Sequence, residues 1–119
     1  MTRFMDHAPR PAIVTVAAVL IFLVGGLNAL AGLILVTAGG GFVLTLGLLS
    51  LAVAAAEIYA GMQVLALSER GRILAIVLAG IGLTFQVLSI GRAGASILGI
   101  LIHGSIIWIL VTNRQSFTR

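Results

Sequence analysis

Two ionisable side chains lie inside apolar runs of this 119-residue chain: Glu57 in "SLAVAAAEIYAGMQVLAL" and His103 in "SILGILIHGSIIWILVT". A carboxyl and an imidazole brought together can exchange a proton near neutrality or respond to a cation. The same pair can equally be a hydrogen-bonded contact that fixes helix register. Two amides, Asn28 and Gln86, occupy the other two apolar runs and suit interhelical hydrogen bonding. Other chemistries are excluded by what is missing. The chain has no cysteine, hence no disulfide frame, thiolate metal site or thiol redox chemistry. Its two histidines and three acids match no metal-ligand spacing. No GxSxG, HExxH, P-loop or dinucleotide fingerprint is present. "GGLNALAG" and "GRAGASILG" are glycine-rich but lie within or beside apolar runs, where they offer no phosphate cradle. These patterns predict a non-enzymatic protein with no catalytic residue, metal or cofactor.

The elements that must position these groups are membrane spans. Hydrophobic residues make up 61% of the chain and charged residues 8%, against about 25% charged in a soluble domain. The longer apolar runs exceed the ~20 residues that cross a bilayer. Four spans are expected, at about 12–36, 42–67, 73–90 and 96–112, within one integral membrane domain covering 1–119. Pro9 and Pro11 suit the start of the first span. "TAGGG" at 37–41 reads as a tight turn, and "SERGR" as a charged turn in which Gly71 can adopt a left-handed conformation. "GRAGA" closes the third span. Connections this short make sequential neighbours antiparallel. The fold class is therefore all-α, a transmembrane four-helix bundle.

Charge sets the expected orientation. Arg3, Arg10, Arg70, Arg72, Arg114 and Arg119 lie on one side of that layout, and Arg92 alone lies on the other. The positive-inside rule then puts both termini in the cytoplasm of a multi-pass protein of the bacterial inner membrane. Arg10, Arg70, Arg72 and Arg114 are the candidate headgroup and topology anchors. The formal charge of +4 does not indicate nucleic-acid binding, because the arginines stand singly or in pairs at span ends. An uninterrupted first run of ~25 residues is also longer than a signal-peptide core, so it is expected to be retained.

At ~100° per residue, small side chains fall on one stripe of each span. The stripes contain Ala18, Gly25, Asn28 and Gly32; then Gly47, Ser50, Ala54, Glu57 and Gly61. The third holds Ala75, Ala79, Gly82, Gln86 and Ser89, and the fourth Ser96, Gly99 and His103. Each stripe carries one larger polar group, and facing stripes would gather all four in the interior. Counting ~1.5 Å per residue from the cytoplasmic end puts Glu57 at roughly 15 Å and His103 at roughly 14 Å. Gln86 comes out near 20 Å and Asn28 near 24 Å. Glu57 is therefore expected to pair with His103. Trp108 suits an interfacial belt, and Tyr59 is expected to face lipid or a partner.

The opening "RPAIVTVAAVLIFLVGGLNALAGLILV", the run "ERGRILAIVLAGIGL" and the ending "IIWILVTNRQSFTR" resemble small four-helix membrane proteins of actinobacteria. That resemblance implies the four-span layout and brings no activity with it. Small multidrug resistance transporters also have four short helices and a membrane glutamate, but theirs lies in the first span, where this chain has Asn28. Fluoride channels share the size and a helix asparagine, yet their threonine- and phenylalanine-rich pore motifs are absent. The leading expectation is an accessory or scaffold subunit that associates with a larger membrane complex or with itself. The alternative is a minimal proton- or cation-responsive transporter or channel using Glu57 and His103. A binder of anionic headgroups through the arginines ranks third.

Overall fold

The computed structural model describes residues 10–88 and 95–118. Four α-helices run in order: α1 Ala12–Ala38, α2 Phe42–Leu65, α3 Glu69–Leu88 and α4 Ala95–Thr112, followed by a 3₁₀ turn at Arg114–Ser116. Helices α1, α2 and α3 are each long and apolar enough to cross a membrane; α4 contributes the shorter apolar stretch Ile97–Thr112. Each helix packs on the next and α4 closes back onto α1, with α1–α2 the most extensive interface. No strand occurs among the described residues.

Local chemistry explains the helix ends. Pro11 precedes α1, where its missing N–H costs nothing. Between α1 and α2 the chain turns at Gly39–Gly41, and Gly41 adopts a positive φ of 61°. The next turn differs from expectation. Gly71 is helical, and the left-handed residue is Leu67, φ 58°. Ser68 N–H donates to Gln63 O and Leu67 N–H to Val64 O, both at 3.0 Å. That pair of bonds is a Schellman closure. It puts the turn at Ala66–Ser68 and lets α3 begin at Glu69, inside the segment expected to be loop. A left-handed leucine costs about 1–2 kcal/mol, offset here by burial of its side chain. Gly71 is required for a different reason: a Cβ there would collide with Gln63 of α2. The turn expected at "GRAGA" and Ser89 lie outside the described residues, as do Pro9, Arg3, Arg92 and Arg119.

Packing follows the small-residue stripes. Ala18, Gly25 and Gly32 of α1, Gly47, Ala54, Glu57 and Gly61 of α2, and Ala75 and Ala79 of α3 are buried. Small residues at these positions let the helix backbones approach closely, as apolar helices do in lipid. The α1–α2 contact illustrates this: Phe22 seats on Gly61, Leu51 on Gly32 and Val36 on Gly47. Leucines such as Leu23, Leu30, Leu49 and Leu101 are left exposed on the outside.

The core is not uniform along the bundle. Val14, Ala17, Ala60, Val64 and Leu110 are fully buried in the half nearer the termini. In the other half, no described side chain of α3 beyond Ala79, or of α4 before His103, is buried. There the four-helix packing loosens into two hairpins, α1–α2 and α3–α4.

Candidate functional site: a polar centre inside the bundle

Glu57 and His103 are the buried polar or charged side chains of the core, exposing 5% and 7% of their surface. They line one small cavity with Ile21, Ala75, Leu78, Ala79 and Ile106, so all four helices contribute to its wall. The cavity has room for about one water molecule.

Glu57 is held by α1. Asn28 donates from Nδ2 to Glu57 Oε1 across the α1–α2 interface in a short hydrogen bond. No hydrogen bond or ion pair joins Glu57 directly to His103 among the described residues. The two share a cavity, and the direct partner of the carboxyl is Asn28. Counting from helix ends misplaced Asn28 because it treated those ends as level. The register of Phe22 on Gly61 and Val36 on Gly47 puts position 12 opposite position 71. Helix α1 therefore starts about 9 Å beyond the last residue of α2. Counted from position 67, the span end used for Glu57, the offset is about 6 Å, which removes most of the roughly 9 Å by which Asn28 was expected to lie above Glu57.

His103 is held by its own helix and by α3. Its Nδ1 lies 2.7 Å from Gly99 O. A carbonyl only accepts, so Nδ1 carries the hydrogen and, in the neutral ring, Nε2 keeps the lone pair. The ring lies against Gly82 of α3, where a Cβ would strike Nε2. One turn further toward the hairpin end, Gln86 of α3 fills the notch at Gly99 of α4 in the reciprocal way. Gln86 therefore stands apart from the Glu57–His103 cavity. A sequence signal for this exchange exists: "GLTFQ" and "GILIH" both place a polar residue four positions after a glycine. In an antiparallel pair, each polar group then meets the other helix's glycine.

Four threonine hydroxyls of the apolar helices are satisfied locally. Thr37, Thr45, Thr84 and Thr112 donate to carbonyls one turn back. Among the described residues, no enclosed side-chain polar atom lacks a partner.

The anchor arginines divide into two kinds. Arg70 and Arg114 are exposed. Arg10 donates from Nη1 to Leu65 O and from Nε to Thr15 Oγ1, each at 2.8 Å. It thereby caps the last turn of α2 from the start of α1. Arg72 grips Glu69 with two bonds of 2.7 Å and reaches Leu110 O at 3.4 Å, tying α3 to the end of α4. Both guanidiniums thus serve carbonyls in the last turns of helices, where cations are favoured. Trp108 and Tyr59 are exposed, at 64% and 56%.

Among the described residues, no group of three or more His, Asp or Glu side chains could hold a metal ion. What the centre offers chemically is a carboxyl oxygen, an imidazole nitrogen and space between them. Comparison with protein-family models, curated proteins and solved structures finds no match for this chain.

Proposed function

We propose that this chain is a non-enzymatic subunit of the bacterial cell membrane, with four spans and both termini in the cytoplasm. It acts as an accessory or scaffold bundle beside a larger membrane protein or a second copy of itself. The observation that carries this reading is how the polar groups are used. Asn28, Glu57, His103 and Gln86 are turned onto helix–helix contacts, and Arg10 and Arg72 close helix ends. The exterior is left apolar, with Leu23, Leu30, Phe42, Leu49 and Phe85 exposed. Such a body meets lipid and other membrane proteins laterally and offers no surface built for a soluble substrate. The test is extraction of native membranes into polymer nanodiscs, followed by mass measurement of the intact particle. A membrane partner in fixed stoichiometry, or a defined oligomer, is expected. A lone chain in lipid would refute the reading.

One observation favours a second reading, a proton-responsive transporter or channel: Glu57 and His103 border the same cavity. Its test is proton flux in proteoliposomes. Flux in the native chain, lost in Glu57→Gln without loss of folding, would support it; equal flux in both would remove it.

A further inference from the structure

The cavity contains a chemical mismatch that the hydrogen bonds around it leave open. Glu57 accepts a hydrogen bond from Asn28 Nδ2 at one oxygen, Oε1. His103 commits Nδ1–H to Gly99 O. Neither Glu57 Oε2 nor His103 Nε2 has a protein partner among the described residues. Every enclosed side-chain polar atom does have one, so these two atoms border open space. Both residues line the cavity, whose other walls are apolar and whose volume is about that of one water. A water needs polar partners to stay in such a site, and a carboxyl oxygen with an imidazole nitrogen supplies them.

We propose that the Glu57–His103 cavity is a one-proton binding site bridged by a single water molecule. In one form, the Oε2–H of Glu57 donates to the water and the water donates to Nε2 of His103. In the other, Nε2–H donates to the water and the water donates to the Glu57 carboxylate. A proton leaves Glu57 for the water as the water passes one to Nε2, so atoms and net charge are conserved. Asn28 Nδ2 serves both forms, because Oε1 accepts a hydrogen bond in each. Gly99 O serves both as well, since Nδ1 keeps its hydrogen throughout.

The surroundings isolate this exchange. Helix α1 faces the site with the amide of Asn28 and apolar side chains. Helix α3 faces it with Ala75, Leu78 and Ala79, with the Gln86 amide one turn above. Neither helix brings a titratable group to it. Toward the termini the site is closed by buried apolar residues, including Ala60, Val64 and Leu110. Toward the hairpin end the α1–α2 and α3–α4 hairpins pack less closely on each other, so protons reach the site from between them.

This inference rests on the proton-responsive reading, and its test is separable from flux. Full-length protein in bilayers, carrying His7→Asn so that one imidazole remains, is followed by magic-angle-spinning NMR across pH. The Glu57 carboxyl carbon and the His103 ring nitrogens are observed together. Joint titration is expected, with Nδ1 protonated throughout and only Nε2 changing. In Glu57→Gln, the proton concentration that half-protonates Nε2 should change by at least about tenfold, the level at which two sites count as coupled. Ala79→Val, which fills the cavity and spares both ionisable groups, should bring the two titrations apart. Independent titration in the unfilled protein, a bare Nδ1, or unchanged coupling in Ala79→Val would each overturn the site. If Glu57→Gln fails to fold, the joint titration and Ala79→Val decide alone. Joint titration without flux would keep the site and reject transport; flux with independent titration would do the reverse.

Discussion

Adding one methyl group to glycines of the same helices should give opposite effects, depending on which face they occupy. A Cβ at Gly47 would lie 2.7 Å from Val36 Cγ2, 2.8 Å from the Val36 nitrogen and 2.9 Å from Gly32 O. Ordinary contacts begin near 3.4 Å, so these are too close by about 0.5 to 0.7 Å. The nitrogen and oxygen are backbone atoms and cannot turn aside, so α1 and α2 must separate. Overpacking of this kind costs about 1–3 kcal/mol, and separation also weakens the adjacent Gly32 contact. Gly26 lies on the same α1 helix with nothing within 4 Å of its Cβ position. There the substitution keeps only the helix-propensity gain of up to about 1 kcal/mol. Both variants share that gain, so they should differ by the overpacking cost alone, roughly 1–3 kcal/mol, with Gly47→Ala below the parent and Gly26→Ala at or above it. Reversible unfolding in bicelles by steric trapping reads this directly. Equal stability of the two variants would refute the close α1–α2 approach and the register derived from it.

Further outcomes follow from other contacts. Asn28→Ala removes the amide that holds Glu57 and should destabilise the bundle by about 1–2 kcal/mol. Glu57→Gln keeps an oxygen for that amide and should cost less than Asn28→Ala in the same unfolding assay; the reverse order would mean that Asn28 is not the main partner. The chain has no cysteine, so Gly40→Cys and Thr118→Cys can be labelled singly with an impermeant maleimide. They should react from opposite sides of the membrane, and reaction from one side would contradict the topology. Trp108 is the sole tryptophan and is exposed. Its fluorescence should be quenched more by bromine near the headgroups than by bromine at the bilayer centre.

Much of this architecture is legible in residue order because long apolar runs leave the backbone few options. Apolar runs the length of a bilayer, separated by short polar or glycine-containing links, allow little but helices. The 3.6-residue period then aligns Ala18, Gly25 and Gly32, or Gly47, Ala54, Glu57 and Gly61, on one stripe each, and those residues are buried. Exposure of Tyr59 follows from the same count, because it lies nearly opposite that stripe.

The failures share one cause: they concern relations between helices, which no single helix encodes. Gly71 looked like a turn residue by type, yet its role is to let α3 approach Gln63, while the left-handed turn falls on Leu67. Nothing in the residue type marks Leu67 for that conformation; the closing bonds of α2 and burial of its side chain select it. Beyond their expected place at span ends, only the folded chain shows that Arg10 and Arg72 reach Leu65 O and Leu110 O.

By itself, the sequence determined four apolar helices and which face of each carries its polar residue, because length and periodicity are properties of a single helix. The tertiary structure alone decided that Glu57 bonds to Asn28 and meets His103 across a cavity. Pairing depends on how far one helix is shifted along another, and that shift is set by which side chains fit against which glycines.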